Sequence, residues 1–169
     1  MKVSPPAHLI LGGRRSGKSA FAEQEARATG LPCTYVATSR VYDSDQAARI
    51  AEHRARRQGQ GWTLVEVPNP LELQATLVQL APHKQVVLVD CLAMWLNNLF
   101  LDAVPVPELR LPEGPATLLL VSGEVGLGLH GETALGRRYA DALGILNQHI
   151  AAQVPKVSFI AAGLPLSLK

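Results

Sequence analysis

Short apolar segments alternate with longer amphipathic segments along the whole chain. The apolar segments are rich in Val, Ile and Leu and predict strands at residues 8–11, 33–37, 62–67, 85–90, 117–122 and 156–161. The segments between them have helical spacing and predict helices at residues 18–28, 44–58, 71–80, 92–101 and 132–153. This alternation is typical of an α/β protein that has a mostly parallel sheet with helices on both faces.

One segment does not fit this alternation. Residues 102–115 contain four prolines, at positions 105, 107, 112 and 115. Proline removes a backbone donor and clashes with the preceding helical turn, so the segment cannot form a long helix. We expect it to be an exposed loop.

Composition and length limit the class of protein. A chain of 169 residues with 47% hydrophobic and 18% charged residues is expected to form one globular domain, residues 1–169. Its net charge of +2 and its 5% aromatic content offer neither a broad basic surface nor stacking residues, so we expect no nucleic-acid partner. Cys33 and Cys91 lie in separate apolar runs and are interpreted as reduced thiols, although a single disulfide is an alternative. With no secretion signal or membrane span visible, we expect a cytoplasmic protein.

The first predicted strand leads into a glycine-rich loop with the pattern Gly-x4-Gly-Lys-Ser. The loop consists of Gly12, Gly13, Arg14, Arg15, Ser16, Gly17, Lys18 and Ser19. Between a strand and a helix, this pattern turns backbone N–H groups toward a phosphate and aims the positive end of the helix at the same anion. Lys18 can reach the outer phosphates, and the Ser19 hydroxyl can ligate Mg²⁺. The loop therefore predicts that the protein binds a nucleoside triphosphate.

A second candidate for the nucleotide site is Asp90, which ends the strongly apolar strand at residues 85–90. In phosphate-loop enzymes, an acid at this place holds Mg²⁺ or its water shell beside the loop serine. Ser19 and Asp90 are therefore the candidate metal ligands. Asp90 could instead cap the helix that begins at Leu92, and both roles together are also compatible with the sequence.

A basic helix carries a candidate nucleophile. Arg49, His53 and Arg57 are four residues apart and share one helix face, after Asp43 or Ser44 as the helix cap. Neighbouring cations favour the neutral imidazole, which can attack phosphorus. The alternative is a solvated basic face that carries an incidental histidine.

A glycine-rich loop after the strand at residues 117–122 contains one acid, Glu124. Ligands bind at the carboxyl ends of parallel strands, so Glu124 could orient a substrate or act as a base. The alternative is an exposed loop acid. The other histidines show no partner pattern and are expected to be structural or exposed; they are His8, His83, His130 and His149.

Taken together, these segments resemble one family, the bifunctional adenosylcobinamide kinase / adenosylcobinamide-phosphate guanylyltransferases of cobalamin biosynthesis. The matching segments are Leu9-Ile10-Leu11-Gly12-Gly13, Arg15-Ser16-Gly17-Lys18-Ser19, Tyr35-Val36-Ala37-Thr38-Ser39, Ala47-Ala48-Arg49-Ile50, His53-Arg54, Asn98-Leu99-Phe100, Glu124-Val125-Gly126 with Gly128, and Gly144 with Asn147-Gln148. The loop sequence Arg-Ser-Gly-Lys-Ser, combined with Ala-Ala-Arg-Ile-x-x-His, is much more specific to this family than the general phosphate-loop pattern alone.

The resemblance implies two reactions. The first phosphorylates the aminopropanol hydroxyl of cobinamide with ATP or GTP. In the second, a histidine attacks the α-phosphate of GTP, and the resulting covalent GMP passes to the cobinamide phosphate. The matching histidine is His53. Lys18 and Glu124 are the further catalytic candidates.

The resemblance also implies a P-loop NTPase fold of the RecA type, a corrinoid substrate and a homotrimer. Besides the loop from Gly12 to Ser19, it implies guanine-nucleotide contacts at Ala37, Thr38, Ser39, Arg54, Ala55, Arg56, Arg57, Glu66 and Asp90.

Two other functions are compatible with the same fold. One is a single-function small-molecule kinase, in which His53 only steers phosphate and no covalent nucleotide forms. The other is a RecA-like NTP-dependent binding module acting on nucleic acid or a partner protein, which the low charge and low aromatic content disfavour.

Overall fold

The computed structural model describes residues 6–128 and 131–169 and contains a seven-stranded sheet in that part of the chain. The strands are β1 Ala7–Gly12, β2 Cys33–Ala37, β3 Trp62–Glu66, β4 Val86–Asp90, β5 Thr117–Gly123, β6 Lys156–Ala161 and β7 Leu164–Ser167. The helices are α1 Lys18–Ala28, α2 Ser44–Arg57, α3 Leu73–Leu80, α4 Leu92–Leu101 and α5 Ala134–Gln153, with a 3-10 turn at Pro70–Glu72.

The strand order is β3-β2-β4-β5-β1-β6-β7, and every neighbouring pair is parallel except β6 with β7. The predicted fold class, a mostly parallel sheet covered by helices, is therefore confirmed. No helix of the described residues has the length and apolar character needed to cross a membrane.

Two apolar clusters cover the two faces of the sheet, because successive side chains of a buried strand point in opposite directions. In β4, Val87 and Val89 join the cluster formed with α3, α4 and α5. Val86 and Leu88 join the other cluster, which contains Ala22 and Ala26 of α1. The sheet is thus the middle layer of three.

The predicted strands all form, with bounds that differ by one residue at most. The long C-terminal helix begins at Ala134 rather than at residue 132, and Leu71 belongs to the 3-10 turn rather than to α3. Strand β7 was not predicted, since Pro165 lies inside it. An edge strand tolerates a proline because one side of its backbone has no partner strand.

The expectation of an exposed loop at residues 102–115 is wrong in part. Leu109 lies in the core cluster and is 1% exposed. The Gln153 side chain at the end of α5 donates to the Leu109 carbonyl at 3.0 Å and accepts from the Leu111 N–H at 2.9 Å. The prolines prevent a helix, but the extended segment packs against α5 because this glutamine satisfies its backbone groups.

Cys33 and Cys91 are free thiols, so the disulfide alternative is wrong. Of the remaining histidines, His8 is buried and bonded to Glu25 and Ser158, whereas His83 is exposed. His149 is half-buried beside the Leu109 carbonyl. His130 lies outside the described residues.

Candidate active site

The strand register brings the predicted site residues to one edge of the sheet. Gly12 at the end of β1 lies opposite Gly123, and Asp90 at the end of β4 lies opposite Ala37 and Val121. The Glu124 N–H donates to the Gly12 carbonyl at 3.1 Å. The phosphate loop, Asp90, the Ala37-Thr38-Ser39 segment and the Glu124 loop therefore all start from the carboxyl edge, where parallel sheets bind ligands.

The phosphate loop has the tight curvature that its glycines permit. Gly17 has φ 96° where it precedes α1, a conformation that other residues rarely adopt. A Cβ at Gly12 would lie 2.7 Å from the Ile160 carbonyl oxygen on β6, so this position also requires glycine. Lys18 Nζ donates to the Gly13 carbonyl at 3.0 Å and so lies across the loop.

The loop fits a phosphate group in its chemistry as well as in its shape. The Ser16 hydroxyl is buried and has no hydrogen-bond partner within residues 6–128 and 131–169, which leaves an unsatisfied donor inside the loop. Arg14 and Arg15 are exposed beside it. The Ser19 hydroxyl and the Asp90 carboxylate are oxygen donors of the kind that Mg²⁺ prefers.

His53 lies beside Asp90. The distance from His53 Nδ1 to Asp90 Oδ2 is 3.7 Å, and the Arg56 guanidinium lies 3.3 Å from the same ring nitrogen. The His53 side chain is 33% exposed and that of Asp90 only 8%. The prediction that these residues share one face of α2 is confirmed, because Arg49 and His53 are half-buried and Arg57 is buried.

Tyr35 fixes the Asp90 carboxylate. The Tyr35 hydroxyl donates to Asp90 Oδ2 at 2.8 Å from the neighbouring strand. Burial, and secondarily the charge of Asp90, raises the pKa of Tyr35 far above its usual value, so the hydroxyl stays a donor. Asp90 does not cap α4: Cys91 occupies the cap position and makes no side-chain cap bond, so that alternative is wrong.

The C-terminal half of α2 is attached to α1 by an ion-pair cluster in which Glu23 and Arg57 are buried and Arg56 is exposed. Glu23 of α1 is 4% exposed and lies 3.1 Å from Arg56 and 3.5 Å from Arg57. The Arg57 guanidinium also stacks 3.4 Å from the centre of the Tyr35 ring. A buried charge needs a partner, so this cluster fixes α2 against the sheet.

The other predicted nucleotide contacts differ in accessibility. Thr38 is fully buried, and its hydroxyl exchanges hydrogen bonds with the backbone of Cys91, so its side chain is not available to a ligand. Ala37 and Ser39 are half-buried at the end of β2. Arg54 pairs with Glu66 on the exposed side of α2, and Ala55 is exposed there too.

Glu124 is half-buried, and its Oε1 accepts from the Gly126 N–H at 2.7 Å. This bond orients one carboxylate oxygen of Glu124 toward its own loop. Glu124 is therefore not a freely solvated loop acid.

Sequence reasoning missed Glu23 and Tyr35. Glu23 had a detectable signal, because it shares the buried face of α1 with Ala22 and Ala26. Tyr35 begins one of the segments that match the family, but nothing in an apolar strand indicates that its hydroxyl bonds a carboxylate on the neighbouring strand.

Nearly all of the described fold, including each of these site residues, falls within one family match. The model of the family described as "Cobinamide kinase / cobinamide phosphate guanyltransferase" matches residues 8–168. The chain belongs to this family. The predicted resemblance is thereby confirmed, and with it the expectation of an enzyme of cobalamin biosynthesis that uses nucleotides.

Curated relatives of this cobinamide kinase / guanyltransferase chain match it over nearly its full length. The "Bifunctional adenosylcobalamin biosynthesis protein CobP" of Pseudomonas aeruginosa is 46% identical over 169 residues, which cover 95% of this chain and 96% of the relative. The proteins CobU of Salmonella typhimurium and Escherichia coli are 30% and 31% identical, each with 95% of this chain and 98% of the relative covered.

Proposed function

We propose that this chain phosphorylates the aminopropanol hydroxyl of adenosylcobinamide with ATP or GTP and then transfers GMP from GTP to the phosphorylated product. The transfer passes through a covalent GMP on His53. The main support is the position of His53 beside Asp90, at the sheet edge that carries the phosphate loop.

The phosphate loop is the proposed nucleotide site. Its backbone N–H groups and Lys18 would hold the phosphates, while the Ser19 hydroxyl and the Asp90 carboxylate would hold Mg²⁺. Bound there, Mg²⁺ would neutralise charge on the triphosphate. Arg56 would add positive charge near His53, which stabilises the transition state of attack on phosphorus.

His53 is the proposed nucleophile for the second reaction. Both of its contacts, with Asp90 and Arg56, involve Nδ1, so Nε2 is the nitrogen left for phosphorus. Attack by Nε2 requires a proton on Nδ1, which then faces Asp90 Oδ2. The Arg56 guanidinium can only donate, so in this tautomer it must turn away from Nδ1. An N–P bond forms to the α-phosphorus, and pyrophosphate leaves. The cobinamide phosphate oxygen then displaces the imidazole and takes the GMP.

The test of this proposal is covalent labelling with GTP radiolabelled at the α-phosphate in the presence of Mg²⁺. We expect protein-bound label that is stable to alkali and lost in acid, as a phosphoramidate on histidine is. His53→Ala should abolish the label. His83→Ala is the matched control and should keep the label, because His83 is exposed before the amino end of β4, whereas Asp90 is at the carboxyl end of that strand.

The competing single-function kinase predicts a different outcome. If the protein transfers the γ-phosphate of ATP or GTP to adenosylcobinamide but never acquires the label, His53 is not a nucleophile and the guanylyltransferase half of the proposal fails.

We also propose, on the family resemblance alone, that the chain forms a homotrimer. Light scattering coupled to size-exclusion chromatography tests the assembly: a mass of a single chain, 18.1 kDa, would contradict it.

A further inference from the structure

One group of residues in the family resemblance has no part in the mechanism so far: Gly144, Asn147 and Gln148 on α5. In the fold they line a cavity of about 450 Å³ between α5 and the strands β1 and β6. This volume lies in the range of small-molecule pockets. Glu124 also lines the cavity.

The cavity reaches the nucleotide site. Its lining includes Leu11, which immediately precedes the phosphate loop on β1. Glu124 is next to the same loop, because its N–H donates to the Gly12 carbonyl. A molecule in the cavity would therefore extend one end toward the outer phosphate of a nucleotide held by the loop.

The lining is mostly apolar, and its charged residues are Glu124 and Lys169. Lys169 Nζ donates to the Ala151 and Val154 carbonyls at 3.1 and 2.7 Å. Leu11, Ala151, Val157 and Leu168 form the apolar part. Asn147 is rigidly held, since its amide accepts from the Ser122 hydroxyl at 2.7 Å and donates to the Gly123 carbonyl at 3.0 Å. Gln148 is exposed, so its amide can pair with an amide of a ligand.

Gly144 is not explained by packing within the described chain. It lies in the interior of α5, where glycine weakens a helix relative to alanine. An added Cβ there would meet no atom within 4 Å. The absence of a side chain at Gly144 keeps the cavity open. This explains a glycine that weakens the helix if a ligand approaches the α5 backbone at this point.

We infer that this cavity binds the acceptor of the kinase reaction, through the amide-linked aminopropanol arm of a corrinoid, and that Glu124 receives the proton of its hydroxyl. This inference rests on the proposed function. The methylene and methyl groups of the arm suit the apolar lining, and its amide suits Gln148. The hydroxyl oxygen forms a bond to the γ-phosphorus, the bond from that phosphorus to the β,γ-bridging oxygen breaks, and the nucleoside diphosphate leaves.

A size series at one position tests the cavity. We compare wild type with Gly144→Ala and Gly144→Leu, and measure the KM for adenosylcobinamide in the kinase reaction together with the melting temperature. Alanine should raise the melting temperature, because it favours the helix. Leucine should raise the acceptor KM about tenfold or more, a loss typical of blocking an apolar contact. The increase in the acceptor KM must follow the volume of the side chain at position 144 and not the change in melting temperature.

The nucleotide half-reaction serves as the internal control. Formation of GMP–His53 from GTP needs no acceptor, so its rate and the KM for GTP should stay within about twofold of wild type in all three proteins. Ala151→Leu, two turns farther along the same helix face, fills the cavity from a second position and should reproduce the acceptor defect if Gly144→Leu does not fold.

The outcomes separate the inference from the proposed function. If both leucine variants fold and keep a wild-type acceptor KM, the cavity is not the acceptor site, although the kinase and guanylyltransferase assignments stand. If wild type itself phosphorylates no cobinamide, the proposed function fails and the inference fails with it.

Discussion

Asp90 contacts groups of different chemistry through one carboxylate oxygen. Oδ2 accepts from the Tyr35 hydroxyl and faces His53 Nδ1. In the proposed mechanism it orients the nucleophile and also supports Mg²⁺. The Tyr35 bond is the only one of these contacts that can be removed without changing a reacting group, so it isolates the effect of orienting Asp90.

Tyr35→Phe should slow the formation of GMP–His53 about thirtyfold, because a hydrogen bond to a charged group contributes on the order of 2 kcal/mol. Single-turnover labelling with α-labelled GTP measures this rate. The KM for GTP should change much less, since Tyr35 lies beneath the site. Tyr139→Phe is the matched control, because its hydroxyl donates to the Ala93 carbonyl at 2.8 Å and not to Asp90. An unchanged labelling rate in Tyr35→Phe would show that Asp90 needs no such support.

At the scale of elements, the attachment of α2 to α1 determines where the nucleophile lies. Glu23 is the only acid in contact with Arg56 and Arg57 among the described residues. His53 is one turn before these arginines on the same helix. Losing the Glu23 charge leaves Arg57 buried beside Tyr35 without a counter-ion, which favours movement of the helix away from the sheet.

Glu23→Gln should therefore reduce the guanylylation rate at least about tenfold and leave the phosphorylation of cobinamide within about twofold, since the kinase step does not use His53. Assaying both reactions on the same preparation gives this ratio. The control is Glu25→Gln on the same helix, whose carboxylate contacts His8 and Lys156 instead. Equal losses of both activities in Glu23→Gln would indicate general damage to the fold rather than misplacement of α2.

The sequence predicts a strand, helix or loop well where a short stretch contains the whole hydrophobic or glycine pattern of that element. Strand β4 has five consecutive apolar or terminal acidic residues, all buried, and the phosphate loop has its glycines at fixed intervals. The pairing of Glu23 with Arg57, 34 positions away, depends on how two helices pack, which local patterns do not encode. The segment at residues 102–115 illustrates the same limit. Its prolines exclude a helix, but its packing depends on Gln153 of α5 and Gln74 of α3, which bond its backbone from distant parts of the chain.

For the candidate site, the sequence indicates which residues have the chemistry to bind or react with a nucleotide. The strand order and register determine which of these residues lie next to one another. His53 and Asp90 were both selected as candidates, but their proximity requires the order of β2, β4 and α2. Thr38 was selected as a nucleotide contact, yet the structure uses its hydroxyl to bridge to Cys91. Nothing in the local sequence distinguishes these two uses of a threonine at the end of a strand.

At the scale of the whole molecule, a polar cluster around His8 makes the stability of the fold depend on pH. His8 is 3% exposed; its Nδ1 contacts Glu25 at 2.5 Å, its Nε2 contacts Ser158 at 2.9 Å, and Lys156 is also bonded to Glu25. Burial lowers the pKa of His8 below its usual value despite the bond to Glu25. Burial opposes ionisation of Glu25, but the bonds to Lys156 and His8 outweigh it and lower its pKa too.

Both pKa shifts predict that the folded protein becomes less stable in acid. The unfolded chain takes up a proton at His8 near pH 6.5 while the folded chain resists, so the free energy of unfolding should fall as the pH falls through that value. Below about pH 4.5, protonation of Glu25 extends the loss in the same direction. Urea unfolding at a series of pH values measures this, and His8→Gln should flatten the curve between pH 7 and 5.5. His83→Gln, on the exposed surface, should leave the slope unchanged.

The position of β1 has a consequence for synthesis of the protein. β1 precedes the phosphate loop in sequence, but it pairs with β5 and β6, and the Ser16 carbonyl accepts from the Gly163 N–H in the turn between β6 and β7. On a ribosome, residues 12–19 emerge long before these partners exist, and domains assemble as their contacts become available. A nascent chain would therefore remain unable to hold GTP until translation has passed the last hairpin, and it would then acquire that capacity in a single late step.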